Sequence, residues 1–379
     1  MINKIQMKLR DIIFKIVCWF IPVENNKIVF SSFDGRGYSD NPKYIAEEII
    51  RRKLDYKMYW ITKDLNIDLP SQIQPVEYMS FEHYVALASA KVWIDNDRKY
   101  IHPIKKKSQF YIMTWHGSLS VKKVEGDALD SLPNSYIRNA KKDSKITDLM
   151  LSEGEFVNKK IRRAFFYDGE IFTKGIPKDD IFKSDNLELK NKVYEFYGIN
   201  KNKKVLLYAP TFRNELDYDY TIDFDKIKER FQNVFSVEVV ILVRLHPNLS
   251  GTILNNKEII DVIDVSSYED IQELEIAAEW LITDYSGVCF DFVRINKPCF
   301  LHCPDYNVYL NERGYLLDPK ELGIPFSENI DVLLENISKF DYVLYRDKCH
   351  QVINDMGLYE IGIAAKNLVN RIIVEMEKK

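Results

Sequence analysis

The stretch Phe110-Tyr111-Ile112-Met113-Thr114-Trp115-His116-Gly117-Ser118 is a short apolar run that ends in a polar turn. Runs of this length are typical of buried strands in a parallel sheet, and ligands bind outside the carboxyl ends of such strands. The pattern therefore predicts a ligand-binding edge that gathers polar groups from distant segments. The apolar runs 205–208, 239–243 and 280–282 end in the same way, in Ala209-Pro210-Thr211-Phe212-Arg213, Arg244-Leu245-His246-Pro247 and Thr283-Asp284-Tyr285-Ser286-Gly287.

Short apolar strands alternate with amphipathic helices from residue 27 onward, which predicts an α/β fold with parallel sheets covered on both faces. A polar stretch at 183–204 separates two such series, so we predict two doubly wound domains facing each other across a cleft. The predicted domains are 25–185 and 186–345, preceded by an amphipathic helix within 1–24 and followed by helices at 346–379 that pack back on the N-terminal domain. The predicted strands are 28–32, 57–61, 92–95, 110–113, 149–152, 171–173, 205–208, 239–243, 260–265, 280–283 and 299–302. Two predicted helices are 42–53, capped by Asn41, and 81–89.

The composition excludes several classes of protein. Apolar residues make up 46% of the 379 residues, which is enough for sizeable cores and argues against disorder. The formal net charge of −4 offers no general attraction for nucleic acid, so we expect no nucleic-acid partner.

The N-terminal residues form a basic amphipathic pattern. Trp19 lies near the end of an apolar face, and no run reaches the roughly 18–20 apolar residues that span a bilayer. Such a helix either lies in a membrane interface or packs on its own domain. We expect a cytoplasmic protein held peripherally on the inner face of a bacterial membrane. The apolar face comprises Ile5, Leu9, Ile12, Ile13, Ile16 and Phe20, with Lys4, Lys8, Asp11 and Lys15 off it.

Five cysteines, an odd number, are typical of reduced thiols rather than a disulfide framework. A zinc site is conceivable at Cys299, His302, Cys303, Cys349 and His350. Because the chain has no Cys-x-x-Cys pair, buried small side chains near a strand end are the favoured interpretation. We predict neither a metal nor another cofactor.

His116 is the residue best suited to move a proton near neutral pH. Gly117 lets the backbone approach a ligand closely, and Ser118 and Ser120 add hydroxyls beside it. A lone histidine in a turn is more often satisfied by backbone, but this polar context favours a functional role.

Cations at the other strand ends suit a phosphate. Arg244 and His246 flank Leu245 and point to the same side of a strand. Arg213, with Thr211, starts a βα turn, where phosphates are often bound. A guanidinium can bind a phosphate through two parallel hydrogen bonds. The alternative for Arg244 and His246 is a surface arginine beside a buried histidine.

Two further turns are weaker signals. Ser286 and Gly287 begin a predicted helix that contains Asp291, and the first N–H groups of a helix favour an anion. A plain capped helix start is the alternative. Lys178 follows Gly175-Ile176-Pro177, where a solvated lysine in a proline turn is the alternative.

Five segments together resemble the CDP-glycerol glycerophosphotransferases, a family of teichoic acid and capsule enzymes with a GT-B fold. The resemblance also takes in Ser39-Asp40-Asn41-Pro42 and extends from about residue 27 to the early 320s. The chain departs from the usual family residues at Ser118-Leu119, Lys178, Phe212 and Gly287. The five segments are Trp115-His116-Gly117-Ser118, Gly175-Ile176-Pro177-Lys178-Asp179-Asp180, Tyr208-Ala209-Pro210-Thr211-Phe212-Arg213, Arg244-Leu245-His246-Pro247 and Ile282-Thr283-Asp284-Tyr285-Ser286-Gly287-Val288-Cys289-Phe290-Asp291-Phe292.

The resemblance implies two Rossmann-like domains and transfer of an alditol phosphate from CDP-glycerol or CDP-ribitol, with release of CMP. The acceptor would be a lipid-linked glycan or a polyol-phosphate chain, and the product a teichoic acid or capsular polymer. A GT-B enzyme that uses a nucleotide-sugar, or a non-catalytic scaffold, is the alternative. The implied catalytic residues are His116 and His246, and the implied donor site comprises Gly117, Ser118, Leu119, Ser120, Lys178, Thr211, Arg213, Arg244, Ser286, Gly287 and Asp291.

Overall fold

The computed structural model describes residues 12–100, 104–117, 119–183, 186–213, 220–245, 260–312 and 314–378. The chain divides into two compact units. Unit 1 comprises Met1–His116, Leu132–Lys183 and Tyr359–Lys379, and unit 2 comprises Gly117–Ser131 and Ser184–Leu358. Predictions that concern residues 1–11, Ser118 and His246 lie outside the described residues.

Unit 1 is built on a seven-stranded sheet in the order β3-β2-β1-β4-β5-β6-β7, and all its pairings are parallel. The chain order reverses between β1 and β4, which makes these neighbours the topological switch point of the sheet. The strands are β1 (Glu24–Ser31), β2 (Lys57–Thr62), β3 (Ile73–Glu77), β4 (Ala90–Asp95), β5 (Phe110–Met113), β6 (Leu149–Leu151) and β7 (Glu170–Phe172).

Helices cover this sheet. Residues 12–19 form α1. The C-terminal α13 buries Leu368 and Ile372 in the same core as Ile45 and Ile49 of α2. The remaining helices of unit 1 are α2 (Asp40–Arg51), α3 (Phe81–Ser89), α4 (Asn134–Ile146), α5 (Glu155–Ala164) and α13 (Ala364–Glu377), with a 3₁₀ helix at Pro177–Lys183.

Asp180 anchors the C-terminal segment to unit 1. Its carboxylate accepts hydrogen bonds from the backbone N–H groups of Gly362 at 2.7 Å, Ala364 at 3.1 Å and Ala365 at 2.7 Å. These are the unsatisfied donors at the start of α13, where a negative charge is also favoured by the helix dipole. Residues 359–379 therefore belong to unit 1.

Unit 2 is built on a six-stranded sheet in the order β10-β9-β8-β11-β12-β13, again with parallel pairings throughout. Its switch point lies between β8 and β11. The strands are β8 (Lys204–Tyr208), β9 (Val239–Val243), β10 (Val262–Asp264), β11 (Trp280–Thr283), β12 (Cys299–His302) and β13 (Phe326–Ser327).

The core of unit 2 joins the sheet to α7 and α11, with Phe231 and Ile337 fully buried. The helices are α6 (Leu187–Phe196), α7 (Phe224–Phe235), α8 (Ile271–Ala277), α9 (Val288–Arg294), α10 (Tyr306–Glu312), α11 (Ile330–Ser338) and α12 (Tyr342–Asp355), with 3₁₀ helices at Glu125–Ser131 and Pro319–Glu321.

The predicted α/β class with two Rossmann-like parallel sheets is confirmed. All eleven predicted strands are present within a few residues of their predicted bounds. The prediction missed β3 and β13, because Pro75 interrupts the apolar pattern of β3 and β13 has only two residues. The prediction that Asn41 caps a helix was wrong, since the helix begins at Asp40, two residues earlier than predicted, and its N-cap is Ser39.

Candidate functional site

His116 is fixed by backbone geometry just beyond the end of β5. Its Nδ1 lies 2.6 Å from the carbonyl oxygen of Asn96. A carbonyl only accepts, so Nδ1 carries the hydrogen and Nε2 keeps a lone pair. The ring of the half-buried His116 stacks on Trp115, with centroids 4.6 Å apart, and faces Phe33 at 5.4 Å. His116 is thus held in the tautomer that a general base requires.

Asn41 ties two loops of unit 1 together. Its Nδ2 donates to the carbonyl oxygen of Trp115 at 3.0 Å, and its Oδ1 accepts from the backbone N–H of Lys178 at 3.0 Å. The side chain is fully buried. Trp115 has a φ of 57°, which is unfavourable for a bulky residue. Such a conformation persists only where contacts with neighbouring residues hold the backbone in place. Asn41 is one of these neighbours, so it helps to place His116.

Asp40 supplies negative charge behind the histidine. It is 4% exposed, and its backbone has a φ of 60° at the first residue of α2. Burial raises the pKa of its carboxyl. Four weaker effects lower it: the Lys178 charge, hydrogen bonds from the Asn41 backbone and the Asn96 side chain, and the His116 charge.

The side chain of Lys178 is buried and makes an ion pair with Asp179 at 3.1 Å. The predicted alternative of a solvated lysine in a proline turn is therefore wrong. Its charge also acts on Asp40, so Lys178 belongs to the charged surroundings of the histidine.

In unit 2, Asp284 organises the two loops at the switch point. Its Oδ1 accepts from the backbone N–H groups of Thr211 at 2.8 Å and Tyr285 at 2.6 Å, and its Oδ2 accepts from Arg213 at 2.7 Å. Asp284 is 2% exposed. It therefore joins the turn after β8 to the turn after β11.

Arg213 is committed to protein partners. Its Nε donates to Asp305 Oδ2 at 2.7 Å and its Nη2 to Asp305 Oδ1 at 3.1 Å, in addition to the bond with Asp284. The guanidinium lies 4.9 Å from the ring centroids of both Tyr285 and Tyr309. These contacts hold the loop in place. Direct binding of a phosphate by Arg213 stays a prediction.

Thr211 carries a buried hydroxyl that has no hydrogen-bond partner in the described part of the chain. Buried hydroxyls are almost always satisfied, so an unsatisfied one at a switch point indicates a ligand contact. This observation supports the predicted binding role of Thr211.

Gly287 lies against the segment that follows His116. A Cβ at this position would be 2.8 Å from the carbonyl oxygen of Leu119, which is itself 1% exposed. Ser286 stands beside it, half-buried, and its Oγ accepts from the backbone N–H of Val288 at 3.4 Å. The close approach of Leu119 requires glycine at 287.

We expect Gly287→Ala to lower the free energy of unfolding of unit 2 by about 1–3 kcal/mol, because the added methyl group overlaps a backbone atom that has little room to move. Urea unfolding followed by tryptophan fluorescence measures the effect. Ser286→Ala, which adds no atom at the neighbouring position, is the matched control. A Gly287→Ala protein as stable as the unaltered chain would contradict the packing described.

Arg244 is half-buried after β9, and its Nη1 donates to the carbonyl oxygens of Tyr268 and, at 3.3 Å, Val265. Burial lowers the pKa of the guanidinium, which nevertheless stays charged. In the described residues neither Nε nor Nη2 makes a further bond, so these groups are available to an anion.

Three other predicted site residues, Gly117, Ser120 and Asp291, lie in the described part of the chain. Gly117 has a φ of 120° and nothing within 4 Å of a built Cβ, so it serves the backbone conformation. The buried Ser120 donates to the carbonyl oxygen of Lys122 at 3.1 Å. Asp291 is 7% exposed within α9.

The cysteines considered for zinc are buried, and burial raises the pKa of the Cys299 and Cys303 thiols. His302 Nδ1 lies 3.2 Å from Ser327 Oγ. Across the described ranges, no three His, Cys, Asp or Glu side chains are grouped so as to hold a metal ion.

Sequence reasoning missed the supporting roles of Asp40, Asn41 and Asn96. Asn96 directly follows the predicted strand 92–95, so the rule that polar residues at strand ends form sites applied to it as well. Asp40 had been noted only as part of the resemblance, and Asn41 was predicted only as a helix cap.

Comparison with known proteins gives one consistent result. The family described as CDP-Glycerol:Poly(glycerophosphate) glycerophosphotransferase matches residues 13–374. The chain is 28% identical to a teichoic acid poly(glycerol phosphate) polymerase of Bacillus spizizenii, over 98% of the chain and 99% of that protein. It is 29% identical to the polymerase of the same description in Bacillus subtilis, over 86% of the chain but only 45% of that longer protein.

Among solved structures, the wall teichoic acid polymerase TagF superposes with a TM-score of 0.85 at 27% sequence identity. The match covers 100% of this chain and 98% of the TagF chain.

Proposed function

Because the chain belongs to the CDP-glycerol:poly(glycerophosphate) glycerophosphotransferase family, we propose that it transfers an alditol phosphate from a CDP-alditol to a hydroxyl group of a growing polymer or its lipid-linked glycan. CMP is the second product. The observation that carries the proposal is the geometry of His116, whose Nδ1 is committed to the Asn96 carbonyl while Nε2 keeps its lone pair.

The acceptor hydroxyl attacks the phosphorus that bears the alditol. Its proton passes to Nε2 of His116, a new P–O bond forms, and the bond to the oxygen of the leaving CMP breaks. The Asp40 carboxylate, whose charge acts on His116, stabilises the imidazolium that results. Phosphoryl transfer depends mainly on such positioning and on charge stabilisation.

The residues of unit 2 bind the nucleotide and its diphosphate. The Thr211 hydroxyl is available to an acceptor oxygen, and Arg244 keeps uncommitted N–H donors in the described part of the chain. Ser286 and Gly287 contribute backbone N–H groups and a hydroxyl. Arg213 acts by holding the Thr211 loop to Asp284. The proposed role of His246 beside Arg244 rests on the sequence alone.

We propose that α1 places the enzyme on an anionic membrane surface. Phe14 of α1 packs on Phe81 and Tyr84, with ring centroids 4.9 and 5.1 Å apart, which fixes one face of the helix to unit 1. The other face exposes six large apolar side chains in the described part of the chain. No helix described is long and apolar enough to cross a bilayer. The exposed residues are Ile12, Ile13, Ile16, Val17, Trp19 and Phe20.

We expect Ile16→Glu with Phe20→Glu to reduce co-sedimentation with phosphatidylglycerol vesicles at least tenfold, because each side chain contributes roughly 1.5–3 kcal/mol of apolar burial. Leu65→Glu with Val374→Glu, at two similarly exposed apolar positions elsewhere in unit 1, is the control. Equal binding by the α1 variant and the unaltered protein would contradict the membrane role.

Incubation with CDP-glycerol, CDP-ribitol and a panel of UDP- and GDP-sugars tests the proposed reaction. Acceptor-dependent release of CMP from a CDP-alditol is the expected result. Release of a nucleoside diphosphate from a nucleotide-sugar would instead identify a glycosyltransferase.

A further inference from the structure

The C-terminal helix α13 begins without a cap from its own N-terminal residues. Its N-cap residue, Ile363, makes no side-chain hydrogen bond to the helix start. The carboxylate of Asp180 provides the cap instead. It accepts from the backbone N–H groups of Gly362, Ala364 and Ala365, which lie 182 to 185 residues further along the chain. Because the first N–H groups of a helix lack partners within the helix, these three bonds tie two distant segments of unit 1 together.

The negative charge of Asp180 is stabilised by these three donors. The side chain is half-buried, and burial raises the pKa of its carboxyl, whereas the three N–H groups lower it. Hydrogen bonds to a charged group are stronger than those between neutral groups, and the helix dipole favours an anion at this end. Asp180 and the start of α13 therefore hold each other in place.

The turn that leads to this carboxylate is packed against the same C-terminal segment. Ile176 is 2% exposed and shares a core cluster with Leu368 of α13. Gly175 has a φ of 82°, and a Cβ built on it would lie 3.3 Å from the carbonyl oxygen of Glu360. The turn at 175–180 therefore has little freedom while α13 is docked.

The same turn is also bonded to the loop of the catalytic histidine. The backbone N–H of Lys178 donates to Asn41 Oδ1 at 3.0 Å, and Asn41 Nδ2 donates to the carbonyl oxygen of Trp115 at 3.0 Å. Trp115 directly precedes His116 in the chain. The charge of Lys178 acts in addition on Asp40, which lies in the charged surroundings of His116. A shift of this turn would therefore reach the histidine through a single side chain, that of Asn41.

We propose that Asp180 is a positioning residue for the transfer reaction. It fixes the backbone at Lys178 against α13, and Asn41 transmits this constraint to the Trp115 carbonyl and so to His116. The inference rests on the proposed function, in which His116 is the base. Displacement of a reacting group by about 1 Å can lower a rate about 10²-fold, so a loosened turn lowers turnover although Asp180 acts only through other residues.

Asp180→Asn in the full-length chain tests the proposal, because it removes the charge and keeps one acceptor oxygen. We expect kcat for acceptor-dependent CMP release to fall about 10–100-fold, and the KM for CDP-glycerol to change less than about twofold. Asp341→Asn is the matched control. Asp341 caps α12 of unit 2 in the same way, since its carboxylate accepts from the backbone N–H groups of Val343 at 2.8 Å and Leu344 at 3.0 Å.

Stability is measured on the same samples, because both variants weaken a charged helix cap. Turnover is assayed well below the melting temperature of each variant. Asp180→Glu keeps the charge with one more methylene group, and we expect it to stay folded and to lose less kcat than Asp180→Asn. Unchanged kcat in Asp180→Asn would overturn the positioning role, and so would an equal fall of kcat in Asp341→Asn.

A double variant tests the route through Asn41. If Asp180 acts by way of Asn41, Asp180→Asn combined with Asn41→Ser should lose little more kcat than the more damaging of the two single variants. Losses that multiply in the double variant would overturn this route, because residues that act independently have additive effects on the activation free energy.

The imidazole nitrogen resonances of His116 report its position without any turnover. The chain has six histidines, so the His116 signals are identified by their loss in His116→Ala. We expect the Nδ1 signal, which reports the hydrogen bond to the Asn96 carbonyl, to shift in Asp180→Asn and to stay unchanged in Asp341→Asn. An unshifted signal in Asp180→Asn would overturn the proposal. If no CDP-alditol supports transfer, the proposed function fails, and the resonance still decides whether Asp180 positions His116.

Discussion

His116→Ala is expected to lower acceptor-dependent CMP release by about 10²–10⁴-fold while the protein stays folded. The loss follows from removal of Nε2, the lone pair that the Asn96 carbonyl leaves available. The ring is half-buried, stacks on Trp115 and makes a tilted contact with Phe33, so its removal affects the core little. Turnover under saturating CDP-glycerol is the measurement, with the melting temperature recorded on the same samples.

His350→Ala is the matched control, because His350 is an exposed histidine on α12. It should retain the turnover of the unaltered enzyme. His116→Ala with near-normal turnover would remove the general base from the mechanism, and a large fall in melting temperature would reassign the residue to a structural role.

Arg213→Met is expected to destabilise unit 2 by about 3–5 kcal/mol, because it leaves the buried carboxylate of Asp284 and the half-buried carboxylate of Asp305 without their cation. The loop that carries Thr211 is held through the same Asp284, so affinity for CDP-glycerol should fall as well. The midpoint of urea unfolding and the Kd for the donor are the two measurements.

A double variant separates charge from packing. Arg213→Met with Asp305→Asn should recover part of the lost stability, since one of the two uncompensated charges is removed. Lys201→Met is the control, because Lys201 forms an exposed pair with Glu195 at 3.3 Å, and exposed pairs contribute at most about 1 kcal/mol. If Arg213→Met and Lys201→Met unfold at the same urea concentration, the network around Arg213 does not stabilise the unit.

The sheet architecture was predictable because its signals are local. An apolar run such as 239–243 predicts a strand, and the polar turn after it predicts where the strand ends. Neither signal depends on which residues pack against the strand. The same rule placed His116 beyond β5 and Thr211 beyond β8. The two short or interrupted strands, β3 and β13, carry too few apolar residues for the rule to detect.

The roles of individual side chains were less predictable, because they depend on partners far along the chain. Arg213 was expected to bind phosphate directly, but Asp305, which lies 92 residues later, occupies its guanidinium. The Asn96 carbonyl that sets the tautomer of His116 is a backbone group, which sequence reasoning about side chains does not consider.

Leu119 and Gly287, two positions noted in the sequence analysis as departures from the resemblance, lie close together in the structure. Leu119 and Gly287 were considered separately in the sequence. In the structure the Leu119 carbonyl oxygen lies where a side chain at 287 would begin. The path of the segment after His116 therefore requires a glycine at this position.

The most direct test of the central claim is mass spectrometry of the product formed from CDP-glycerol and one defined acceptor, with the released nucleotide quantified in the same reaction. Transfer of the alditol phosphate predicts that the acceptor gains glycerol phosphate units and that one CMP appears for each unit added, with both signals lost in His116→Ala. Release of CDP together with an acceptor that gains only the glycerol moiety would contradict attack at phosphorus.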